Sequence, residues 1–259
     1  TNAFVLTKNR LEEVLPYLTY LRVNFSAGEK KRYSEIMGVK ESSFDRVCQN
    51  IKDMVAIKKR DNLSVTIGMQ MVLMPEDADQ IIPLAKLGKE LRPDYAIIKH
   101  CSDNEDGGLG VDYDSYEKIF PLLKEAESYS DEEYKCVIKW SKIKDKGNNG
   151  RSYQRCYGAP FMLQLSGSGL VAPCGGLFNE KYKKFHIGNI CETRFKDLWN
   201  SDRYWEVMNY LASPKFNAQK MCASLCLQHN VNETLDAHLK GKGSLKRPEG
   251  DSPNHIDFV

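Results

Sequence analysis

Cys156-Tyr-Gly-Ala-Pro-Phe-Met-Leu-Gln-Leu-Ser-Gly-Ser-Gly-Leu-Val-Ala-Pro-Cys174 is the stretch from which the rest of the chain can be read. Two short apolar runs, Phe161 to Leu165 and Leu170 to Ala172, flank Ser166-Gly-Ser-Gly169. This is the pattern of a strand, a glycine turn and a return strand. A hairpin brings its two ends together, so Cys156 and Cys174 are expected close in space. A second pair, Cys222 and Cys226, follows in Met-Cys-Ala-Ser-Leu-Cys, and Cys191 lies between the pairs. Four thiolates on a small, turn-rich framework hold either an iron–sulfur cluster or a zinc ion, and the spacing leaves both open.

The remaining composition narrows the class. The chain has 259 residues, 41% hydrophobic and 28% charged, an ordinary globular balance. A net charge of +2 gives no general electrostatic case for nucleic acid. The basic clusters Lys30-Lys31-Arg32, Lys58-Lys59-Arg60 and Lys181 to Lys184 read as solvated faces. No apolar run approaches the ~20 residues of a membrane span, and no signal peptide is visible. Eight cysteines are too sparse for a disulfide scaffold. A cytoplasmic location is therefore expected, where spaced cysteines mean metal or catalysis more often than disulfides.

Taken in order, the chain alternates strand and helix. Residues 9–18 read as a short helix weakened by Pro16, and Tyr20 to Ser26 as a strand ended by Ala27-Gly28. Helices are expected around 29–37 and 41–58. In the second, Phe44, Val47, Cys48, Ile51, Met54 and Val55 share one face, and Cys48 is a small buried hydrophobe. Leu63 to Leu73 is a strand. Asp77 with Gln80 reads as a capping box for a helix to about Arg92, with Pro83 awkward inside it. Asp94 to His100 is a nearly all-apolar strand, as in a buried parallel sheet. An amphipathic helix over 113–127 and a strand over 134–143 follow.

Strands at roughly 30–45-residue spacing with helices between them indicate βαβ units and a parallel sheet or barrel. In such sheets ligands lie at the carboxyl ends of the strands. Those ends carry Asn24 and Ser26, then Gln70, then Lys99 and His100, of which at most one faces the cavity. The acidic, glycine-containing loop 101–110 reads as a substrate loop or as an ordinary connection. The polar linker 144–150 is the best boundary in the chain. Beyond it come turns, cysteines and one helix near 194–211. The chain thus divides into 1–144, 151–239 and a polar tail, 240–259.

These residues resemble the radical S-adenosylmethionine enzymes that carry a C-terminal SPASM or twitch domain. The likeness lies in Cys156, twelve residues, Gly169, four residues, Cys174; in Lys184-Phe-His-Ile-Gly-Asn-Ile190 followed by Phe195-Lys-Asp-Leu-Trp-Asn-Ser201 and Tyr204; and in the later cysteine pair. In the first half, Thr1-Asn2-Ala3, Leu21 to Gly28 and Val72 to Glu76 are similar to segments around the third, fourth and fifth barrel strands. The resemblance implies an α/β fold: a partial (βα) radical-SAM-type barrel with about three or four strands present, then a small Cys-rich α+β SPASM/twitch domain.

It also implies chemistry. The ligands of one auxiliary [4Fe–4S] cluster are Cys156, Cys174, Cys222 and Cys226, with Cys191 beside the ligand shell or simply buried and His229 structural. Asn24 and Ser26, and less directly Gln70, contact S-adenosylmethionine. A core [4Fe–4S] cluster would reduce S-adenosylmethionine to the 5′-deoxyadenosyl radical, which takes hydrogen from a small-molecule or peptide substrate. A flavodoxin or ferredoxin is the expected reducing partner, with neither nucleic acid nor membrane involved. The cysteine layout is similar to that of the single-auxiliary-cluster dehydrogenase of aminoglycoside biosynthesis. The family's core motif, C-x3-C-x2-C, does not occur in these 259 residues. The chain is accordingly expected to be a fragment that is inactive alone, the first barrel strands lying upstream of Thr1. The other reading is a non-catalytic iron–sulfur or zinc module for electron transfer or protein contact.

Overall fold

The structure, a computed structural model, describes residues 1–103, 108–144, 151–222 and 226–245. Parts of the loop 101–110, of the linker 144–150 and of the tail 240–259 therefore lie outside the described residues. The chain divides into two units, one built on Thr1–Cys101 with 111–144 and one on the residues from 151 onward.

In the first unit, α1 (Lys8–Val14) leads into β1 (Tyr20–Asn24), followed by α2 (Lys30–Met37), α3 (Ser42–Arg60), β2 (Thr66–Leu73), α4 (Ile81–Leu91), β3 (Tyr95–His100), α5 (Phe120–Glu127), β4 (Lys135–Ile138) and the single turn α6 (Trp140–Ile143). The four strands form one parallel sheet in the order β1-β2-β3-β4. Helix α3 forms because Val47, Cys48, Ile51 and Met54 recur at helical spacing and bury one stripe. Asp45 in its first turn and Lys58, Lys59 and Arg60 in its last complement the helix dipole.

Alternation along each strand separates two faces of the sheet. Val23, Met69, Met71, Leu73, Ala96 and Ile98 lie on the face buried in the main core with α3, α4 and α5. Arg22, Asn24, Gly68, Gln70, Tyr95, Ile97 and Lys99 lie on the other, the inner face of the partial barrel. The register places Arg22 opposite Gly68, Gly68 opposite Tyr95, and Asn24 opposite Gln70. Gly68 lets the Tyr95 ring cross it: a Cβ there would lie 2.2 Å from the ring's Cζ. Tyr95, Ile97 and Val137 make a small apolar floor of their own.

Several expected boundaries differ. The capping box does not form. Pro75–Gln80 winds as a 3-10 segment in which Asp77 is non-helical. Asp77 instead meets the Arg32 guanidinium at 2.9 Å, while the side-chain Oε1 of Gln80 accepts from the backbone N–H groups of Gly28 and Glu29. The α-helix proper begins at Ile81, which puts Pro83 in the first turn, where its missing N–H costs nothing. The expected helix over 113–127 is a 3-10 segment, Tyr113–Ile119, that becomes helical at Phe120 with Pro121 at its start. The strand over 134–143 stops at Ile138, and Trp140–Ile143 turns helical.

The second unit is small and turn-rich. β5 (Gln164–Leu165) and β6 (Leu170–Ala172) pair antiparallel, and β7 (Gly188–Asn189) adds to β6. The first arm of the hairpin is shorter than the expected run from Phe161, because Ala159–Phe161 closes a 3-10 turn around Pro160 and leaves Phe161 exposed. Gly169 turns the hairpin with φ of +83°, a backbone state that glycine adopts without strain. α7 (Phe195–Leu198) and α8 (Asp202–Ala212) replace the single helix expected near 194–211. The break falls at Ser201, whose side chain caps α8 by accepting from the Tyr204 N–H at 3.2 Å. α9 (Ala218–Met221) and α10 (His229–Leu239) complete the unit. Val171, Phe185, Ile187, Val207, Leu211 and Phe216 centre its core.

Candidate metal centre

Four different local structures deliver four thiols. Cys156 enters just ahead of the Ala159–Phe161 turn, its N–H bonded to the Leu211 carbonyl at the end of α8 (3.0 Å). Cys174 leaves β6 through Pro173 and opens the 3-10 turn Gly175–Leu177. Cys222 terminates α9, and Cys226 lies three residues ahead of the start of α10, its carbonyl accepting from the His229 N–H. The segment before Cys156 is strapped to the segment before Cys222. Arg151 Nη1 donates to the Ala218 carbonyl (2.7 Å), Gln219 Nε2 to the Arg151 carbonyl (2.7 Å), and the Ala218 N–H to the Gln154 carbonyl (2.6 Å). Helix α10 closes the group from the other side. Its fully buried Asn232 sends Nδ2 toward Cys156 Sγ (3.7 Å) and Cys226 Sγ (3.9 Å).

The thiols feel one another. Burial raises Cys156, and the nearby Cys226 raises it further, while the hydrogen bond from Asn232 pulls the other way. Cys174 is pushed up to about 11, first by burial and then by Cys156 and Cys226, against the pull of the Gly176 N–H. Cys222 is pushed up to about 12 by burial, with Arg151 opposing and Cys156, Cys226 and Cys174 adding to the rise. Free thiols at Cys156, Cys174 and Cys222 are therefore protonated at neutral pH, and a cation that binds them displaces their protons.

The surroundings suit an anionic tetrathiolate centre. Arg151 is buried and electrostatically coupled to Cys174 and Cys222. Gln228 is buried, and its Nε2 finds no hydrogen-bond partner although two hydrogens sit on it. Such an orphaned donor beside thiols matches an acceptor that belongs at the site. Tyr153, also buried, places its hydroxyl 3.3 Å from His229 Nδ1. Among the described residues, no three His, Cys, Asp or Glu side chains form a group that could hold a metal ion.

Cys191, expected near the ligands or buried, is neither. It is exposed at the hairpin turn, with Sγ 3.9 Å from the Ser168 carbonyl, because β7 carries the chain to the turn end of the hairpin and away from the end that holds Cys156 and Cys174.

At the sheet, Asn24 and Gln70 are brought together: Gln70 Nε2 donates to Asn24 Oδ1 at 2.9 Å, and Gln70 Oε1 is buried with no partner. Ser26 lies past the strand end and is buried. Of the pair ending β3, His100 takes the core-facing side, its ring 5.6 Å from that of Tyr113 and 5.7 Å from that of Tyr116. Lys99 takes the inner face. Burial lowers its pKa to about 8, and Lys142, Arg22 and Lys139 lower it further. Arg22 was not singled out from the sequence, although its two-residue offset from Asn24 gives it the same face. Arg151, Gln228 and Asn232 also went unnoticed. Only the apolar spacing of Val231, Leu235 and Leu239 signals α10, and nothing local marks Asn232 as facing sulfur.

Residues 156–227 match SPASM, an iron–sulfur cluster-binding domain. Among solved structures, SuiB of Streptococcus suis aligns with 17% identity over 81% of this chain and 50% of its own length, with a TM-score of 0.54. SuiB bound to S-adenosylmethionine gives 15% identity over 81% and 49%, with a TM-score of 0.56. His-tagged anSMEcpe with bound AdoMet gives 13% identity over 93% and 69%, with a TM-score of 0.52. These are likenesses of fold, and the chain spans about half the length of SuiB. No curated protein matches the chain. The chain therefore shares the fold of SuiB and anSMEcpe, a parallel-sheet unit followed by a cysteine-bearing unit, and its residues 156–227 match the SPASM iron–sulfur cluster-binding domain.

Proposed function

We propose that the chain belongs to a radical S-adenosylmethionine oxidoreductase or modifying enzyme, and that Cys156, Cys174, Cys222 and Cys226 hold one auxiliary [4Fe–4S] cluster. The observation that carries this reading is the set of four partly buried cysteines within the SPASM match, among which Cys156, Cys174 and Cys222 each feel the charge of the others or of Cys226. When bound, the cofactors supply hydrogen-atom abstraction from substrate, through S-adenosylmethionine and a core cluster, and electron uptake by the auxiliary cluster. The residues here bind and orient. Four cysteines satisfy all four irons and leave none open to substrate, which favours electron acceptance over direct ligation. Arg151, itself buried, offsets the negative charge of a tetrathiolate. On the sheet, Asn24 and Gln70 offer a ready pair of hydrogen-bonding groups for the ribose of S-adenosylmethionine, with Ser26 two residues beyond Asn24. The substrate class is a small molecule or a peptide, and a flavodoxin or ferredoxin supplies electrons. The core-cluster motif is absent from these 259 residues, so the activity is assigned to the whole protein.

Anaerobic reconstitution followed by iron and acid-labile sulfide analysis tests the site. The chain should take up both in equal amounts, Cys156→Ala and Cys222→Ala should lose the cluster, and Cys191→Ala should keep it. Zinc uptake without sulfide, or loss of the cluster in Cys191→Ala alone, would overturn the assignment.

A further inference from the structure

Helix α10 carries a residue that approaches two thiols at once. Asn232 is fully buried, and its amide orientation is fixed from outside. The Gly158 N–H donates to Oδ1 at 2.8 Å, so the amide oxygen faces a donor and the NH2 group faces sulfur. Turned over, the amide would set its N–H groups against the Gly158 N–H and its oxygen against two sulfurs, losing every contact. The NH2 group carries two hydrogens, and two sulfurs lie within reach of it, on Cys156 and Cys226. Gly158 makes this approach possible: a Cβ there would lie 2.9 Å from Gln228 Cβ and 3.4 Å from Asn232 Nδ2. These two thiols are 70 residues apart in sequence, and one side chain spans them.

We infer that Asn232 is a positioning residue of the auxiliary cluster, sharing its two amide hydrogens between the thiolates of Cys156 and Cys226 and thereby raising the reduction potential. This rests on the reading of those cysteines as ligands. The physical reason is charge. Reduction adds one electron and no proton, so the reduced cluster carries more negative charge on its sulfurs. A donor aimed at sulfur therefore stabilises the reduced form more than the oxidised form. The buried, unpartnered Nε2 of Gln228, on the residue two past Cys226, is a second donor in the same neighbourhood.

The test uses the anaerobically loaded full chain as wild type, Asn232→Asp, Asn232→Leu and, as a control on an exposed position of the same helix, His238→Gln. Asn232→Asp keeps the acceptor for the Gly158 N–H and removes both N–H donors. Asn232→Leu removes donors and acceptor together. Midpoint potentials are read by dithionite titration followed by electron paramagnetic resonance. Both Asn232 variants should shift the reduction equilibrium at least tenfold toward the oxidised cluster, about 59 mV for a one-electron couple, and His238→Gln should not. Loaded Asn232 variants with the wild-type midpoint would overturn the proposal. Failure of both variants to load while circular dichroism and melting stay unchanged would support it, since the amide is then needed to bring the two thiolates together. Loss of the fold in both would make Asn232 merely structural and overturn it. Failure of the wild type to take up iron and sulfide would overturn the cluster reading beneath it.

Discussion

Lys99 should destabilise the first unit at neutral pH, and replacing it by methionine should make the protein more stable. The ammonium sits half-buried on the inner face of β3, and burial lowers its pKa from 10.5 to about 8, with Lys142, Arg22 and Lys139 contributing. At ~1.36 kcal/mol per pKa unit this depression corresponds to roughly 3 kcal/mol. Solvent screening of a half-buried group reduces that to about 1–2 kcal/mol. The sign follows from linkage. A depressed folded-state pKa contributes stability that is fully present above the unfolded value near 10.5 and is lost as pH falls through about 8. Wild type should therefore gain stability between pH 8 and 10.5, and Lys99→Met should remove that slope. Urea unfolding in a Trp199→Phe, Trp205→Phe background leaves Trp140 as the reporter of this unit. Lys99→Met should gain about 1–2 kcal/mol at pH 7 and little at pH 10.5. A variant no more stable at pH 7, or one that keeps the wild-type pH slope, would refute the burial argument. Charges held at such a cost concentrate at functional sites, and this one shares its face with Asn24 and Gln70.

Gly68→Ala should cost roughly 1–3 kcal/mol in the same unfolding assay, because its Cβ would collide with the buried Tyr95 ring. Most of that loss should vanish when Tyr95→Leu is added, and an additive double mutant would contradict the contact. Brief alkylation of the native chain at pH 8, read by peptide mass spectrometry, should modify exposed Cys191 first. It should spare Cys48 and Cys136, whose thiols burial pushes up to about 12; early labelling of either would show that its core is open.

The sequence carried the parallel sheet well because its signals are local. The stripe of α3 and the apolar run of β3 each bury one contiguous patch, and periodicity reports burial directly. It failed where a side chain finds a distant partner. Asp77 and Gln80 have capping-box spacing, but Arg32 is 45 residues from Asp77, and the backbone of Gly28 is 52 from Gln80. Those partners outcompete a local cap and delay the helix to Ile81. The break at Ser201 has the opposite origin: a strong N-cap residue inside an apolar-periodic run ended one helix and began another, and periodicity alone passes over it.

The metal centre divides along the same line. Cysteines are legible one by one, because thiols are rare and their hairpin spacing brings two of them together. What makes the group a site rather than a set of thiols is not local. Arg151 reaches Ala218 across 67 residues, and Asn232 reaches Cys156 across 76. Desolvation and neighbouring thiols raise the pKa of Cys156, Cys174 and Cys222, so cysteine spacing alone describes a site that opposes its own ionisation. The guanidinium and the amide supply the opposing field, and both arrive from segments outside the Cys156–Cys226 span. A chain truncated after Cys226 would keep all four cysteines and lose Gln228 and Asn232. It should load iron and sulfide less well than the full chain, and equal loading would show that the thiols suffice without α10.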